Sequence, residues 1–136
     1  MRLRLTAPVV PRTPESVIHQ QIARTFAIEY APPGRLSHEG VVWWSVDIAA
    51  YSGRAPGLRT ARGCIAGIPD ILILYRGLAH LIEVKADDGR LSEAQCSVAA
   101  AVLLCGARFG VARNPAEALG LGDGWAIPRA HRIRGL

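Results

Sequence analysis

The chain has 136 residues, of which half are hydrophobic and 20% are charged, a composition that excludes a disordered chain and favours one globular domain. Its formal net charge of +5 favours an anionic partner such as nucleic acid. No run approaches the roughly eighteen apolar residues that cross a bilayer, so we expect a cytoplasmic protein without a membrane contact. The three cysteines lack C-x-x-C spacing, which argues against zinc and disulfides, and we expect them to be small core residues.

The first predicted element is a helix that begins at Thr13-Pro14, an N-cap residue followed by a first-turn proline, and runs to about Ile28. Apolar residues recur at helical spacing on one face: Ile18, Ile22 and Phe26. Glu15 lies one turn ahead of this series on the same face, where a first-turn carboxylate also complements the helix dipole. His19 follows Glu15 by one turn and could face the same cleft, but we expect it at the surface.

Residues 41–46 predict a short strand in which Trp43 and Trp44 point to opposite faces, one of them into the core. The segment 48–69 that follows contains no acidic residue. It places three arginines among glycines and small residues: Arg54, Arg59 and Arg62. Guanidinium groups beside bare backbone amides suit bidentate phosphate contact, so this loop is a candidate nucleic-acid contact; the alternative is a solvated basic loop.

Two apolar, β-branched runs at 71–75 and 78–84 are separated only by Arg76-Gly77 and predict an antiparallel hairpin. A two-residue turn fixes the register, because it pairs Tyr75 with Leu78 and every other pair follows from that one. A three-residue loop would instead shift the register by one and turn each side chain to the other face.

In the register of the two-residue turn, two carboxylates face each other. Asp70 lies opposite Glu83 with Cβ atoms roughly 4.5–5.5 Å apart. Side chains alternate along a strand, so Lys85 joins Glu83 on that face. Like charges so close together are destabilising unless a proton or cation lies between them, and oxygen atoms of carboxylates, water and phosphate are the ligands that Mg²⁺ prefers.

Lys85 is the one lysine among sixteen basic residues. A compact ammonium beside phosphoryl oxygens can stabilise the charge that develops on phosphorus, and arginine does not replace it simply. Asp70, Glu83 and Lys85 therefore predict a site of phosphodiester hydrolysis. The alternative is structural: an ordinary turn residue followed by two solvated side chains on an edge strand.

A second helix is predicted from Ser92 to about Cys105, with Gly106 ending it. Its inward-facing residues are predicted to be Ala99, Val102 and Leu103. The Ser92-x-x-Gln95 pattern is a capping box, in which the Gln95 amide reaches back to the Ser92 N–H. We expect a role of Gln95 at the carboxylates to require a different rotamer.

Residues 109–112 predict a strand parallel to the one that carries Glu83, and Asn114-Pro115 begins a short final helix to Leu119. No structure is predicted for residues 120–136. Together the elements predict an α/β domain whose mixed central sheet is flanked by helices.

Four features follow one another in a fixed order: Gly67-Ile-Pro-Asp70, the hairpin, Glu83-Val-Lys85, and Asp88-Gly-Arg-Leu-Ser-Glu-Ala-Gln95. This combination resembles the VRR-NUC (virus-type replication-repair nuclease) branch of the PD-(D/E)XK nuclease superfamily, in its short stand-alone form. The resemblance covers residues 13–119 and leaves 1–12 and 120–136 as N-terminal and C-terminal extensions. It implies the restriction-endonuclease-like fold of that superfamily.

The resemblance also implies which residues act. The catalytic set would be Asp70, Glu83, Lys85 and Gln95. The metal, Mg²⁺ or Mn²⁺, would be bound by Asp70, Glu83, the backbone carbonyl of Val84 and Glu15. For Glu15, this role stands beside the helix-dipole explanation.

The implied activity is endonucleolytic cleavage of branched DNA, such as a Holliday junction or a flap in DNA repair. It would be carried out by a homodimer in the cytoplasm, encoded by a bacterium or by a phage or prophage. Family members often carry a Pro-Asn-Gly-Gly run before the arginine of the basic loop; this chain has Val46-Asp47-Ile-Ala-Ala-Tyr-Ser-Gly53, which leaves the DNA contacts of that loop open. The alternative is a non-catalytic nucleic-acid-binding or assembly module that keeps the fold.

Overall fold

A computed structural model of the chain describes residues 11–46 and 62–130. The elements in these ranges are, in chain order, α1 (Glu15–Glu29), β1 (Val41–Ser45), β2 (Ile71–Tyr75), β3 (Leu78–Val84), α2 (Glu93–Leu104), β4 (Arg108–Ala112) and α3 (Pro115–Gly124). The strands form one mixed sheet in the order β1-β2-β3-β4, and the helices flank it. The predicted α/β architecture with a mixed central sheet is therefore confirmed.

The β2–β3 hairpin has the predicted register. Tyr75 pairs with Leu78, and the two strands remain antiparallel back to the pair of Ile71 with Ile82. Both turn residues have positive φ, 50° at Arg76 and 73° at Gly77, as a type I′ turn requires. The ends of β2 and β3 that are remote from this turn therefore lie side by side.

The outer strands extend the sheet on both sides of the hairpin. β1 is antiparallel to β2, and β4 is parallel to β3, as predicted for residues 109–112. In β1 the alternation of side chains separates the two tryptophans: Trp43 is buried, whereas Trp44 is exposed. The Trp43 indole N–H donates to the Ala31 carbonyl at 2.6 Å, so its one polar atom is satisfied inside the core.

The hydrophobic core lies between one face of the sheet and the helices α1 and α3. Its α1 side is the predicted apolar stripe of Ile18, Ile22 and Phe26, all buried. The Phe26 ring meets the Trp43 ring edge-on, with centroids 5.5 Å apart. No helix in the two described ranges is long and apolar enough to span a bilayer.

Three predictions are wrong: the N-cap residue of α1, the orientation of one residue of α2, and the burial of the cysteines. The N-cap of α1 is Pro14 and not Thr13, and no side chain caps this end. In α2, Leu103 was expected to face inward but is 55% exposed. The cysteines are not core residues, because Cys96 and Cys105 are exposed and Cys64 is only partly buried. In α2 the reason is that apolar residues lie on all sides of the helix, so their periodicity could not identify the buried face. The fully buried residue of α2 is Ala99.

The last helix is longer than predicted. Asn114 caps α3 as expected, but the helix continues past Leu119 to Gly124. Glycines in this stretch argue against a helix by propensity alone. At Gly122, however, a Cβ would collide with the Tyr30 hydroxyl, so close packing of α3 on α1 excludes a larger residue. The chain then stays on this body as far as residue 130, where the Ala130 N–H donates to the Glu29 carbonyl at 2.6 Å.

Gly67 fixes the loop before β2 against the first turn of α2. Its φ is +86°, and a Cβ at this position would lie 2.5 Å from the Ala94 carbonyl carbon and 2.7 Å from the Gln95 nitrogen. Backbone therefore packs directly on backbone. This contact holds the residues just before Asp70 against the first turn of α2, the turn that carries Gln95.

We expect Gly67→Ala to lower the free energy of unfolding by about 2–4 kcal/mol, since it combines a left-handed backbone penalty with a backbone clash. Gly63→Ala is the matched control, because Gly63 also has positive φ, +79°, but a Cβ there would meet no atom of residues 11–46 or 62–130 within 4 Å. The control should lose only about 1 kcal/mol. Urea denaturation measures both, and equal losses would contradict the packing of Gly67 on α2.

Candidate active site

The hairpin brings Asp70 and Glu83 together at the end remote from its turn. Asp70 immediately precedes β2, and Glu83 is the penultimate residue of β3. Asp70 Oδ2 accepts a hydrogen bond of 2.7 Å from the backbone N–H of Val84, the residue next to Glu83. The Asp70 carbonyl accepts another, of 2.8 Å, from the Val46 N–H beyond the end of β1. Asp70 is thus held from both neighbouring strands.

Glu83 is a buried carboxylate with one satisfied oxygen. The residue is 3% exposed, and its Oε1 accepts a 2.9 Å hydrogen bond from Gln95 Nε2. Its Oε2 is also buried and has no hydrogen-bond partner among the described residues. A buried charge is costly unless it is paired, so this oxygen requires either a proton or a cation.

Gln95 performs both of its candidate roles in one rotamer, so the expectation that they exclude each other is wrong. Its Oε1 accepts from the Ser92 N–H at 2.9 Å, while the Ser92 hydroxyl accepts from the Gln95 N–H at 3.1 Å. The other end of the same amide, Nε2, donates to Glu83. The capping box therefore positions the donor that holds Glu83.

Burial raises the pKa of Glu83 from 4.5 to about 8, and the neighbouring Asp70 contributes to this rise. The Lys85 ammonium lowers this pKa in part, and Glu15 raises it. A proton on Glu83 can be shared with Asp70, which is how the pair avoids two adjacent negative charges when no cation is bound.

Lys85 lies at the same edge of the sheet, just beyond β3. It is 8% exposed, and its backbone N–H donates to the Ala112 carbonyl at 3.1 Å. Its Nζ is 3.8 Å from Glu15 Oε1, so the start of α1 reaches the cleft through this ion pair. The structure therefore brings Glu15, Asp70, Glu83, Lys85 and Gln95 into one place.

The turn after Lys85 is held by Arg113, a residue that the sequence did not single out. The Arg113 guanidinium donates to the carbonyls of Ala86 and Gly89 at 2.9 and 3.0 Å. Gly89 in turn packs beside the Lys85 stem: a Cβ on Gly89 would lie 3.3 Å from the Lys85 Cδ. Arg113 thus fixes the turn over the lysine, and nothing in its sequence spacing could have indicated this.

His19 is a partly exposed residue of α1 that contacts the end of β1. Its Nε2 lies 2.8 Å from the Ser45 hydroxyl at the end of β1. Ser45 pairs with Ile71, the residue after Asp70. The one-turn spacing between Glu15 and His19 was the signal that could have placed His19 near the site.

The predicted basic loop is only partly described. Arg62 is exposed at the start of the second described range. Arg54 and Arg59 lie outside the described residues, so their candidate role in phosphate contact stays a prediction.

The carboxylate pair fits a hard divalent cation. The unpartnered Oε2 of Glu83 supplies an oxygen ligand beside Asp70. Within residues 11–46 and 62–130, no group of three or more His, Cys, Asp or Glu side chains could hold a metal ion. Asp70 and Glu83 would supply carboxylate oxygens and water would fill remaining positions, a coordination that Mg²⁺ tolerates well. Ligation by the Val84 carbonyl and by Glu15 stays a prediction.

Comparison with family models, with curated proteins and with solved structures finds no match for this chain. What the chain does is therefore inferred from the carboxylate pair and the groups that surround it.

The raised pKa of Glu83 predicts how stability changes with pH without metal. Because the folded state binds this proton more tightly than the unfolded state, the stabilisation is present below about pH 4.5 and is lost as the pH rises through about 8. In a chelating buffer, the urea midpoint of the wild type should therefore fall between about pH 5 and about pH 8.5.

Glu83→Gln should remove most of this pH dependence, since the amide is close in shape and does not ionise. Glu93→Gln is the matched control, because Glu93 is exposed in the first turn of α2. If the wild type and Glu83→Gln lose stability with the same slope, another group is responsible and the assignment to Glu83 is wrong.

Proposed function

We propose that this chain is a divalent-metal-dependent endonuclease of the VRR-NUC type, with the PD-(D/E)XK fold, that hydrolyses phosphodiester bonds in branched DNA. The observation that supports the proposal best is the pair of Asp70 and Glu83, in which one buried oxygen of Glu83 has no partner among the described residues and a buried lysine lies at the same sheet edge. Such a pair has no evident structural use, because it destabilises the fold when both groups are charged.

Asp70 and Glu83 would hold the metal, Mg²⁺ or Mn²⁺. Bound there, the ion would supply Lewis-acid polarisation of a phosphoryl oxygen and a more acidic water. The Val84 N–H keeps one Asp70 oxygen oriented, and Gln95 keeps one Glu83 oxygen oriented. Each carboxylate is therefore directed by a hydrogen bond to one of its oxygens within the described residues, and its other oxygen would face the ion.

Lys85 would stabilise the negative charge that develops on the phosphoryl oxygens. Its position is restricted by the buried stem, by the turn that Arg113 holds and by the ion pair with Glu15. A charged group that is fixed before the reaction begins needs no reorganisation during it, which is why such a group is effective. Glu15 would then position the lysine, and a contact with the metal through water is a further role for it.

The positive net charge and the resemblance to VRR-NUC nucleases both favour DNA as the substrate. The net charge is +5, and Arg62 is exposed on the loop that leads to Asp70. With Arg54 and Arg59, this loop would contact phosphates without reading sequence. Cleavage of both strands of a junction requires two clefts at a fixed separation, and a twofold homodimer is the commonest way to supply them. In this proposal the protein acts on DNA in the cytoplasm.

The test is cleavage of a panel of duplex, flap and four-way-junction DNA with Mg²⁺ or Mn²⁺. The wild type should cleave branched DNA, and Asp70→Asn, Glu83→Gln and Lys85→Met should each lower the rate by about 10²–10⁴-fold. Lys85→Met keeps an apolar stem, so it should melt within a few degrees of the wild type. Glu93→Gln, on the exposed side of α2, should cleave like the wild type.

The result that would contradict catalysis is also clear. If the wild type binds these DNAs but cleaves none of them with either metal, the chain is a non-catalytic nucleic-acid-binding module that keeps the fold. If the three site variants cleave as fast as the wild type, the activity belongs to a contaminant or to another site.

A further inference from the structure

A second concave site lies at the opposite end of the β2–β3 hairpin from the carboxylates. It is an open cavity of about 520 Å³ between the hairpin turn and the end of α3, lined by Tyr75, Arg76, Leu78, His80, Trp125 and Ala126. This volume is within the range of small-molecule binding sites in proteins, roughly 300–1,000 Å³. None of the contacts proposed for cleavage uses it.

The lining of this cavity combines aromatic rings with one cation. Trp125 lies against the His80 imidazole, with ring centroids 5.3 Å apart and planes inclined by 41°. The Arg76 guanidinium lies over the Tyr75 ring, with its carbon 5.3 Å from the ring centroid. In the part of the chain that the structure describes, no acidic residue lines the cavity. These groups suit a ligand that is planar, aromatic and negatively charged.

His80 forms the polar floor of the cavity. It is 2% exposed, and its Nδ1 lies 3.3 Å from the Ile73 carbonyl. Burial lowers the pKa of His80, so its imidazole is neutral and one ring nitrogen remains an acceptor. The base of the cavity is therefore uncharged, and the positive charge of its lining comes from Arg76.

We propose that this cavity binds the base of an unpaired nucleotide, with the ring stacked on Trp125 and the phosphate against Arg76. The choice of a nucleotide among planar anions rests on the proposed nuclease function. Stacking on aromatic side chains tolerates every base, because each base has a π-face. The cavity would therefore recognise that a nucleotide is unpaired and not which base it carries.

The position of the cavity explains why an unpaired strand is required. Leu78 and Glu83 are separated by five residues of β3, or about 17 Å at roughly 3.3 Å per residue. Their side chains have opposite parity on the strand, so the cavity and the carboxylates face different sides of the sheet. A flexible strand that connects the two sites therefore needs at least about five nucleotides at about 3.4 Å each, because it must also pass from one face of the sheet to the other. A DNA molecule that occupies both the cavity and the cleft must therefore contain a single-stranded arm.

The test is nuclear magnetic resonance of the ¹⁵N-labelled full chain, titrated with 5′-dAMP in the absence of metal. We expect saturable shifts of the Trp125 indole N–H and the Arg76 amide at about millimolar ligand. Deoxyribose 5-phosphate, which lacks the base, should leave the Trp125 signal unchanged. Absence of a saturable shift at Trp125, or an equal shift with the sugar phosphate, would overturn the proposal.

Two variants separate the phosphate contact from the stacking contact. Arg76→Asn keeps a residue that tolerates positive φ, and it should weaken binding of 5′-dAMP about threefold to tenfold without changing binding of deoxyadenosine. Arg24→Gln, which removes the same charge from the exposed side of α1, should bind 5′-dAMP like the wild type. Equal losses in the two variants would mean that only the net charge matters, which would contradict a site at Arg76.

The remaining comparisons decide between ligands and between proposals. N-acetylphenylalanine amide should shift Trp125 less than 5′-dAMP does; a larger shift would mean that the cavity binds an aromatic side chain of a protein partner and would overturn the nucleotide assignment.

Asp70→Asn should bind 5′-dAMP like the wild type, because the two sites are separate. A wild-type protein that binds 5′-dAMP but cleaves none of the DNAs would contradict only the nuclease proposal, and a wild-type protein that cleaves DNA but does not bind 5′-dAMP would contradict only this one.

Discussion

Burial of the Glu83 carboxylate beside Asp70 is the constraint on which the cleft depends. A carboxylate that is removed from water needs a proton, a cation or a full set of donors, and Glu83 has one donor for two buried oxygens among the residues that the structure describes. Because of this conflict the pKa of Glu83 rises to about 8, so the carboxyl group keeps its proton well above the pH at which a glutamate ordinarily ionises. A divalent ion between the two carboxylates would resolve the same conflict while leaving both charged, so the fold and the proposed chemistry have the same cause.

The contacts around the pair come from three separate parts of the chain. Gly67 lets the loop before Asp70 lie on the backbone of α2, and this places Gln95 where its amide reaches Glu83. Glu15, at the start of α1, contacts the Lys85 ammonium from the other side of the cleft. Because each segment contributes one contact, the site depends on the whole domain being folded and not on the hairpin alone.

What could be predicted from the sequence was set by local geometry. A two-residue turn determines the register, so the approach of Asp70 to Glu83 followed from Arg76-Gly77 alone. Strand alternation likewise separated the two tryptophans. Two misses depend on tertiary contacts. The Gln95 amide bonds at both ends at once, and Gly122 lies within α3, where Tyr30 leaves no room for a larger residue, so its low helix propensity was misleading. In α2 the cause is local, because an apolar helix shows no preferred face. His19 and Ser45 are 26 residues apart, and no local pattern connects them.

The most direct measurement is calorimetric titration of Mn²⁺ into the wild type, Asp70→Asn, Glu83→Gln and the control Glu93→Gln at about pH 8, where the Glu83 proton can leave. If the carboxylate pair binds the ion, the wild type and the control should show the same saturable heat, and each site variant should lose at least about tenfold in affinity. Equal heats in all four proteins, or no saturable heat in the wild type, would contradict the central claim that Asp70 and Glu83 form a metal site.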